Sequence, residues 1–160
     1  MKKIIIISDS HGYMDNVRKI FQKETNVDIV IHLGDILGQN EVLKDICKCK
    51  TVVVKGNCDI VTENKSFEIV EVGNNKIFAT HGHDYGVDYN IDTLCSVAES
   101  NGCNIAMYGH THVPDNSIYK GMYVVNPGSV SRPRQLNRKP TYGVMKVDAE
   151  GRTDIRIQYV

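Results

Sequence analysis

The stretch Lys3–Gly12, KIIIISDSHG, decides the fold that we expect for the rest of the chain. The four consecutive isoleucines Ile4–Ile7 predict a strand that is buried on both faces, as in a parallel sheet covered by helices. This apolar run is followed by Asp9 and His11, at the strand end where open α/β sheets place their chemistry. A carboxylate and an imidazole are common metal ligands, and Gly12 allows a sharp turn beside them. We therefore interpret Asp9 and His11 as the first two ligands of a metal site.

The composition is that of an ordinary globular chain, with 160 residues, 41% hydrophobic and 24% charged. This length fits one compact domain over residues 1–160. The 19 basic and 19 acidic residues cancel, so we expect no nucleic acid as a stable partner. We also expect no membrane association and no secretion, because no run approaches the roughly 20 apolar residues of a membrane helix and no signal-peptide pattern is present. The odd count of five cysteines then predicts reduced thiols and a cytoplasmic location.

The first half of the chain repeats the pattern of the opening stretch. Two further β-branched runs, Ile29–Leu33 and Thr51–Val54, are followed by Asp35 and Asn57, and amphipathic helical segments separate the three runs. This alternation predicts a parallel sheet with right-handed crossovers. Because the carboxyl ends of parallel strands share one edge, the polar residues after all three runs should lie together.

The second half has the pattern of antiparallel hairpins, with turns predicted at Gly73–Asn75, at Gly121 and at Asp148–Gly151. A helix over Ile91–Ser100 interrupts them. The whole pattern predicts an α/β protein whose first half is parallel and whose second half is rich in hairpins.

The histidines are concentrated where predicted strands end. There are six of them: His11, His32, His81, His83, His110 and His112. A single histidine is more often structural than catalytic, but these share strand ends with two aspartates and an asparagine. Carboxylate and imidazole ligands without thiolates suit Mn²⁺, Fe²⁺, Zn²⁺ or Ni²⁺. We therefore predict one shared metal site.

The number of candidate ligands favours two ions over one. Six or seven protein ligands are too many for one catalytic ion with an open position, whereas they suit two ions roughly 3.5–4 Å apart that activate a bridging water for in-line displacement at phosphorus. One carboxylate must bridge the ions, and Asp35, which we place on a central strand, is the candidate. We expect Mn²⁺ as the cofactor, with Ni²⁺, Fe²⁺, Zn²⁺ and Mg²⁺ as alternatives.

The ordered motifs carry a resemblance to a known family. The chain contains DSH, GD, GNCD, HGH and GHTH between Asp9 and His112, followed by NPGS at Asn126–Ser129. In this it resembles the calcineurin-like metallophosphoesterase superfamily, above all its compact prokaryotic phosphodiesterases, and also the eukaryotic retromer subunit of the same fold. The resemblance implies a four-layer αββα sandwich of two mixed β-sheets flanked by helices. It also implies a divalent-metal-dependent phosphoesterase, foremost a phosphodiesterase, in which a hydroxide bridging two ions attacks phosphorus in line.

The resemblance further implies how the ligands are divided between the two ions. The first ion would be held by Asp9, His11, Asp35 and His112. The second ion would be held by Asp35, Asn57, His81 and His110.

One position departs from the pattern of many members. There, a histidine after the metal-binding asparagine stabilises the transition state and helps to protonate the leaving alkoxide, and the next aspartate orients it. Here that position is Cys58, followed by Asp59. A thiol is a poorer proton donor and cannot supply positive charge, so we expect modest turnover and a preference for aryl phosphoesters. A packing role for Cys58 is the alternative, while Asp59 is a candidate for contacts just outside the ligands.

Four further residues have two interpretations each. His83 lies two residues from His81 and is a candidate catalytic group for the substrate phosphate or a support for the ligands. His32 is either a buried hydrogen-bonded histidine or a support for a ligand. Arg132 and Arg134 either bind a substrate phosphate or belong to a solvated loop.

Three functions therefore compete. The first is a metal-dependent phosphoesterase acting on a small phosphoester. The second is a non-catalytic metal-binding scaffold or protein-interaction module of the same fold, and the third is a nuclease, which the length and balanced charge disfavour. A homodimer or higher homo-oligomer is also expected, because the edge strands of the sheets need cover.

Overall fold

A computed structural model describes all residues, 1–160, and contains two five-stranded sheets and three α-helices. In chain order the elements are β1 (Lys2–Ile7), α1 (Asp15–Lys23), β2 (Ile29–His32), α2 (Asn40–Cys47), β3 (Lys50–Val53), β4 (Phe67–Val72), β5 (Asn75–Thr80), α3 (Asp92–Ser100), β6 (Ile105–Met107), β7 (Asp115–Tyr119), β8 (Met122–Asn126), β9 (Thr141–Val147) and β10 (Thr153–Tyr159). A 3₁₀ turn at His83–Tyr85 precedes α3. None of the helices combines the length and apolar character needed to cross a membrane.

Both sheets are mixed. The first has the order β10-β9-β1-β2-β3, in which β1, β2 and β3 are parallel, as predicted for the first half. The second has the order β4-β5-β6-β8-β7, with β5, β6 and β8 parallel and a hairpin at each edge. β1 is the central strand of its sheet, and β2, which precedes Asp35, is the interior strand beside it. The first hairpin turn is one residue shorter than predicted, because Asn75 already belongs to β5.

The isoleucine run accounts for the layering. Ile4 and Ile6 contribute to an apolar cluster that also contains side chains of the second sheet, whereas Ile5 and Ile7 pack in a cluster with residues of α1 and α2. All four are fully buried, and burial of one such side chain contributes about 1.5–3 kcal/mol. A third cluster packs α3 on the outer face of the second sheet. The predicted αββα sandwich is therefore confirmed.

The polar strand ends of the two sheets meet at one edge of this sandwich. His11 N–H donates to the Asp35 carbonyl at 2.8 Å, within the first sheet, and Gly109 N–H donates to the His81 carbonyl at 3.0 Å, within the second. Between the sheets, His110 N–H donates to Asp9 Oδ2 at 3.1 Å. Loops from both sheets thus surround one cleft.

Candidate metal centre

The first group of predicted ligands lies between β1 and the loop after β6. His112 Nε2 is 3.1 Å from Asp9 Oδ1 and 3.3 Å from His11 Nε2. His11 Nε2 is in turn 3.7 Å from Asp35 Oδ2. The structure thus brings together the four residues assigned to the first ion.

The second group shares Asp35 with the first. Asp35 Oδ2 is 3.5 Å from His81 Nε2, and Asn57 Oδ1 lies 2.9 Å from His81 Nε2 and 3.1 Å from His110 Nδ1. Asp35 therefore stands between the two groups. This is the position that a carboxylate shared by two ions would need.

The backbone of these loops is unusual. Ten residues other than glycine have a positive φ angle, and five of them are predicted ligands: Asp9 (55°), His11 (47°), Asp35 (56°), His110 (67°) and His112 (58°). A left-handed conformation in a residue other than glycine costs of order 1–3 kcal/mol and clusters at functional sites. The fold therefore holds these side chains in orientations that an unconstrained loop would not favour.

Glycines beside the ligands allow the loops to approach closely. A Cβ on Gly109 would lie only 2.1 Å from Ser8 Oγ and 2.9 Å from Asp9 Oδ2. A Cβ on Gly56 would lie 2.1 Å from Asp35 Oδ1. The glycines of the GHTH and GNCD motifs are thus required by contact distances, because no side chain fits there.

Hydrogen bonds on the outer side of the imidazoles orient their inner nitrogens. His112 Nδ1 donates to the Arg132 carbonyl at 2.7 Å, and His81 Nδ1 donates to the Leu33 carbonyl at 2.6 Å. A carbonyl oxygen only accepts, so in the neutral rings both Nε2 lone pairs face the cleft. This is the state in which imidazole binds a metal.

His110 has an outer partner that the sequence reasoning missed. Its Nε2 donates to Asp88 Oδ2 at 2.8 Å, which leaves Nδ1 free to face Asn57. Asp88 lies in the segment between β5 and α3, outside every motif, so neither spacing nor strand pattern marked it.

The donor set fits a cation. Asp9 is fully buried, and its Oδ1 has no hydrogen-bond partner although it points at the Nε2 atom of His112. A buried carboxylate oxygen left without a donor is costly. Here it faces imidazole lone pairs, so a bound cation would satisfy all of these acceptors together. No thiolate belongs to this first group, which agrees with a borderline or hard divalent metal.

The charges within the cluster favour ionised carboxylates. Burial by itself would raise the pKa of Asp9, but the nearby imidazoles of His112 and His81 hold that pKa below its ordinary value. The pKa of Asp35 is likewise lowered, because the interaction with His81 and the Cys58 N–H outweigh burial. Burial opposes the charged form of His81, yet Asp35 and Asp9 raise its pKa.

Asp59 is buried and faces the backbone rather than the cleft. Its carboxylate accepts the N–H groups of Asp35 (2.8 Å), Leu37 (2.8 Å) and Gly56 (2.9 Å). It therefore ties the Asp35 loop to the Asn57 loop.

Cys58 is exposed at the mouth of the cleft. Its N–H donates to Asp35 Oδ1 at 2.8 Å, and its Sγ atom lies within 4.8 Å of ligand atoms of His11 and Asp35. Partial burial and the nearby Asp35 charge raise the pKa of this thiol, so it stays protonated near neutral pH. The thiol sits beside the cluster and does not pack in the core.

The two remaining histidines differ in their surroundings. The ring of His83 lies 5.4 Å from that of His81 and 6.0 Å from that of His110. His32 is fully buried, donates from Nε2 to Ser10 Oγ at 2.9 Å and accepts the Gly34 N–H at Nδ1. Burial lowers the pKa of His32 to about 4, so its ring is neutral. His32 is thus a buried hydrogen-bonded histidine that links the first two strand-end loops.

The basic loop between β8 and β9 is tied to the site through its backbone. The Arg132 carbonyl accepts from His112, and Arg134 N–H donates to the His112 carbonyl at 3.0 Å. Ser129, from the NPGS motif, donates to the Asp9 carbonyl at 2.8 Å. The Arg132 guanidinium lies 5.8 Å from the centre of the Tyr13 ring.

Comparison with known proteins agrees with this geometry. The model of the calcineurin-like phosphoesterase superfamily domain matches residues 1–150. The chain belongs to this superfamily. It is 31% identical to a probable metallophosphoesterase, YsnB of Bacillus subtilis, over 94% of this chain and 87% of that protein. It is 29% identical to phosphodiesterase MJ0936 of Methanocaldococcus jannaschii, over 98% of this chain and 99% of that protein. These relatives support a metal-dependent phosphoesterase.

Solved structures place the same fold in proteins of different names. A predicted phosphoesterase from Streptococcus pneumoniae TIGR4 superposes with a TM-score of 0.81 at 29% identity, covering 98% of each chain. A single mutant of Vps29 from Entamoeba histolytica superposes with a TM-score of 0.79 at 20% identity, covering 99% of each chain. The second likeness establishes the shared fold alone.

Proposed function

We propose that this protein is a phosphodiesterase that binds two divalent metal ions, with Mn²⁺ expected, and hydrolyses small phosphoesters. The observation that carries the proposal is the arrangement of the seven candidate ligands in two overlapping groups that share Asp35. A relative that is named a phosphodiesterase aligns with this chain over 99% of its own length, which supports the choice of a diester.

The roles of the chain's own residues follow from their contacts. Cations bound in the two groups would supply Lewis-acid activation of the phosphoester and of an attacking water. Asp35 would contact both cations, and the outer hydrogen bonds of His81, His112 and His110 keep their inner nitrogens directed at the cleft. Asp59 holds the Asp35 loop and the Asn57 loop together by accepting backbone N–H groups from both.

The surroundings of Cys58 support a preference for good leaving groups. Its neutral thiol stands near His11 and Asp35, at the mouth of the cleft. A neutral thiol provides neither positive charge nor an efficient proton. Aryl esters, whose leaving groups need little protonation, should therefore react faster than alkyl esters.

The deciding experiment compares bis-p-nitrophenyl phosphate with p-nitrophenyl phosphate. Metal-stripped protein would receive Mn²⁺, Ni²⁺, Mg²⁺ or Zn²⁺ separately, and the variants Asp35→Asn and His110→Ala would be measured beside it. Asp154→Asn is the matched control, because Asp154 is exposed on β10, at the sheet end away from Asp9.

Metal-dependent hydrolysis of the diester, lost in both site variants and kept in the control, is the expected result. Faster release from the monoester would change the assignment to a phosphatase. If folded protein binds the ions but cleaves neither ester, the proposal is wrong, and a metal-binding scaffold becomes the better explanation.

A further inference from the structure

Exposed apolar side chains are concentrated around the candidate metal centre. Eleven large hydrophobic residues are exposed, and six of them lie within three residues of a candidate ligand, of Cys58 or of Asp88. These six, named here the apolar rim, are Tyr13, Leu37, Ile60, Val61, Tyr89 and Val113. Since consecutive Cα atoms are about 3.8 Å apart, each begins within about 11 Å of such a residue.

Core packing does not account for the rim. Ile60 is 85% exposed, Val61 93% and Tyr89 91%, so these side chains make little contact with the rest of the fold. Ligand sites are lined mainly by apolar and aromatic side chains with a few polar groups, so exposed apolar residues beside the candidate ligands are candidates for contact with a bound ligand.

Tyr13 is paired with a positive charge. The Arg132 guanidinium lies 5.8 Å from its ring centre, and the Arg132 carbonyl accepts from the candidate ligand His112. An aromatic face and a guanidinium therefore meet on the side of the cleft where His11 and His112 lie.

The occupant that fits this pattern has a charged centre and an apolar arm. The rim is spread over separate loops around a polar floor, so it offers no continuous apolar face. A phosphodiester would place its anionic phosphate at the candidate metal centre, near Arg132. It also carries a second organic group, which remains on phosphorus after the first one leaves. A monoester has no such group.

We propose that the apolar rim binds the ester group that stays on phosphorus, so that the preferred substrates are phosphodiesters with an aromatic or extended apolar substituent. This inference rests on the proposed function. It deepens that function by assigning a substrate class to named side chains, with Tyr13 and Ile60 as the residues to test.

The test uses two diesters with the same leaving group, phenyl p-nitrophenyl phosphate and methyl p-nitrophenyl phosphate. Their kcat/KM ratio would be measured for the Mn²⁺-loaded wild type and for Tyr13→Ala and Ile60→Ser. The intrinsic reactivity difference of the esters is identical for every variant, so a change in the ratio reports the rim alone. Ile118→Ser is the matched control for Ile60→Ser, because Ile118 is 66% exposed on β7 and lies level with the start of β6, away from His110.

The rim variants should lower kcat/KM for the phenyl ester about threefold to tenfold, as expected for one lost apolar or aromatic contact. The methyl ester should change by less than about twofold, on the same reasoning, and the control should match the wild type. Equal effects on both esters, or no effect, would overturn the proposal. A macromolecular partner would then be the better explanation of the apolar rim.

Failure of the proposed function is distinguishable from failure of this inference. If neither ester is cleaved, the rim can still be tested by calorimetry, which measures the affinities of phenylphosphonate and methylphosphonate for the Mn²⁺-loaded protein. Tighter binding of phenylphosphonate that Tyr13→Ala abolishes supports the rim, and equal affinities refute it.

Discussion

Replacing Asp88 by asparagine should weaken metal binding without disturbing the fold. Asp88 Oδ2 accepts the Nε2–H of His110 at 2.8 Å, and the opposite nitrogen of that ring faces Asn57. The negative charge holds the proton on the outer nitrogen and makes the inner one a better ligand. Asparagine keeps the size and an acceptor oxygen but removes the charge.

The structure sets the size of the effect. A hydrogen bond to a charged group contributes about 1.5–3 kcal/mol. The side chain of Asp88 is 53% exposed and that of His110 22% exposed, so screening by water places the value at the lower end. About 1.4 kcal/mol corresponds to a tenfold change in affinity. We therefore expect the ion nearest His110 to bind about tenfold more weakly.

Calorimetric titration of metal-stripped protein with Mn²⁺ measures this directly. Asp84→Asn is the control, because Asp84 lies four residues away in the same segment, is exposed, and pairs with His83, at 3.4 Å, rather than with His110. Saturating Mn²⁺ should restore hydrolysis in Asp88→Asn, since the ligands themselves are intact. An unchanged Mn²⁺ affinity, or an equal loss in Asp84→Asn, would refute the reasoning.

Two further predictions concern stability. Asp59→Ala should lower the free energy of unfolding by about 3 kcal/mol, because two buried N–H groups and one part-buried N–H group lose their carboxylate acceptor. Urea denaturation measures the loss, and a change below about 1 kcal/mol would contradict it. His32 has a folded pKa of about 4, below the ordinary 6.5 of a histidine, so the unfolded chain binds more protons between these values. Its stabilising contribution is therefore complete above about pH 6.5 and is lost towards pH 4, by at most about 3 kcal/mol. His32→Asn should unfold with a weaker dependence on pH in this range than the wild type, and an unchanged dependence would count against a neutral buried ring.

The parallel first half and the hairpin-rich second half could be predicted from local patterns, because those patterns are governed by burial. Ile4–Ile7 lies between two apolar clusters, as an uninterrupted isoleucine run requires. The polar residues that follow β1, β2 and β3 meet because parallel strands end at one edge. The resemblance supplied the way in which the two sheets join, which periodicity could not. The assignment of individual ligands to two ions stays a prediction.

The contacts that tune the candidate site could not be predicted. Asp88 lies 22 residues from His110, and no periodicity links them. Asp59 belongs to a motif, but its contacts with three backbone N–H groups depend on how two loops approach each other. The apolar rim is visible only when the exposure of its members is known.

The sequence by itself determined the strands, the helices and the polar residues that follow the strands, because hydrophobic periodicity and turn chemistry act between near neighbours. Only the tertiary structure decided the left-handed backbone at Asp9 and His112, the outer hydrogen-bond partners of three ligand imidazoles and the place of Cys58 at the mouth of the cleft. These features arise where loops from two sheets pack against one another. Their geometry is set by long-range contact, which no local pattern encodes.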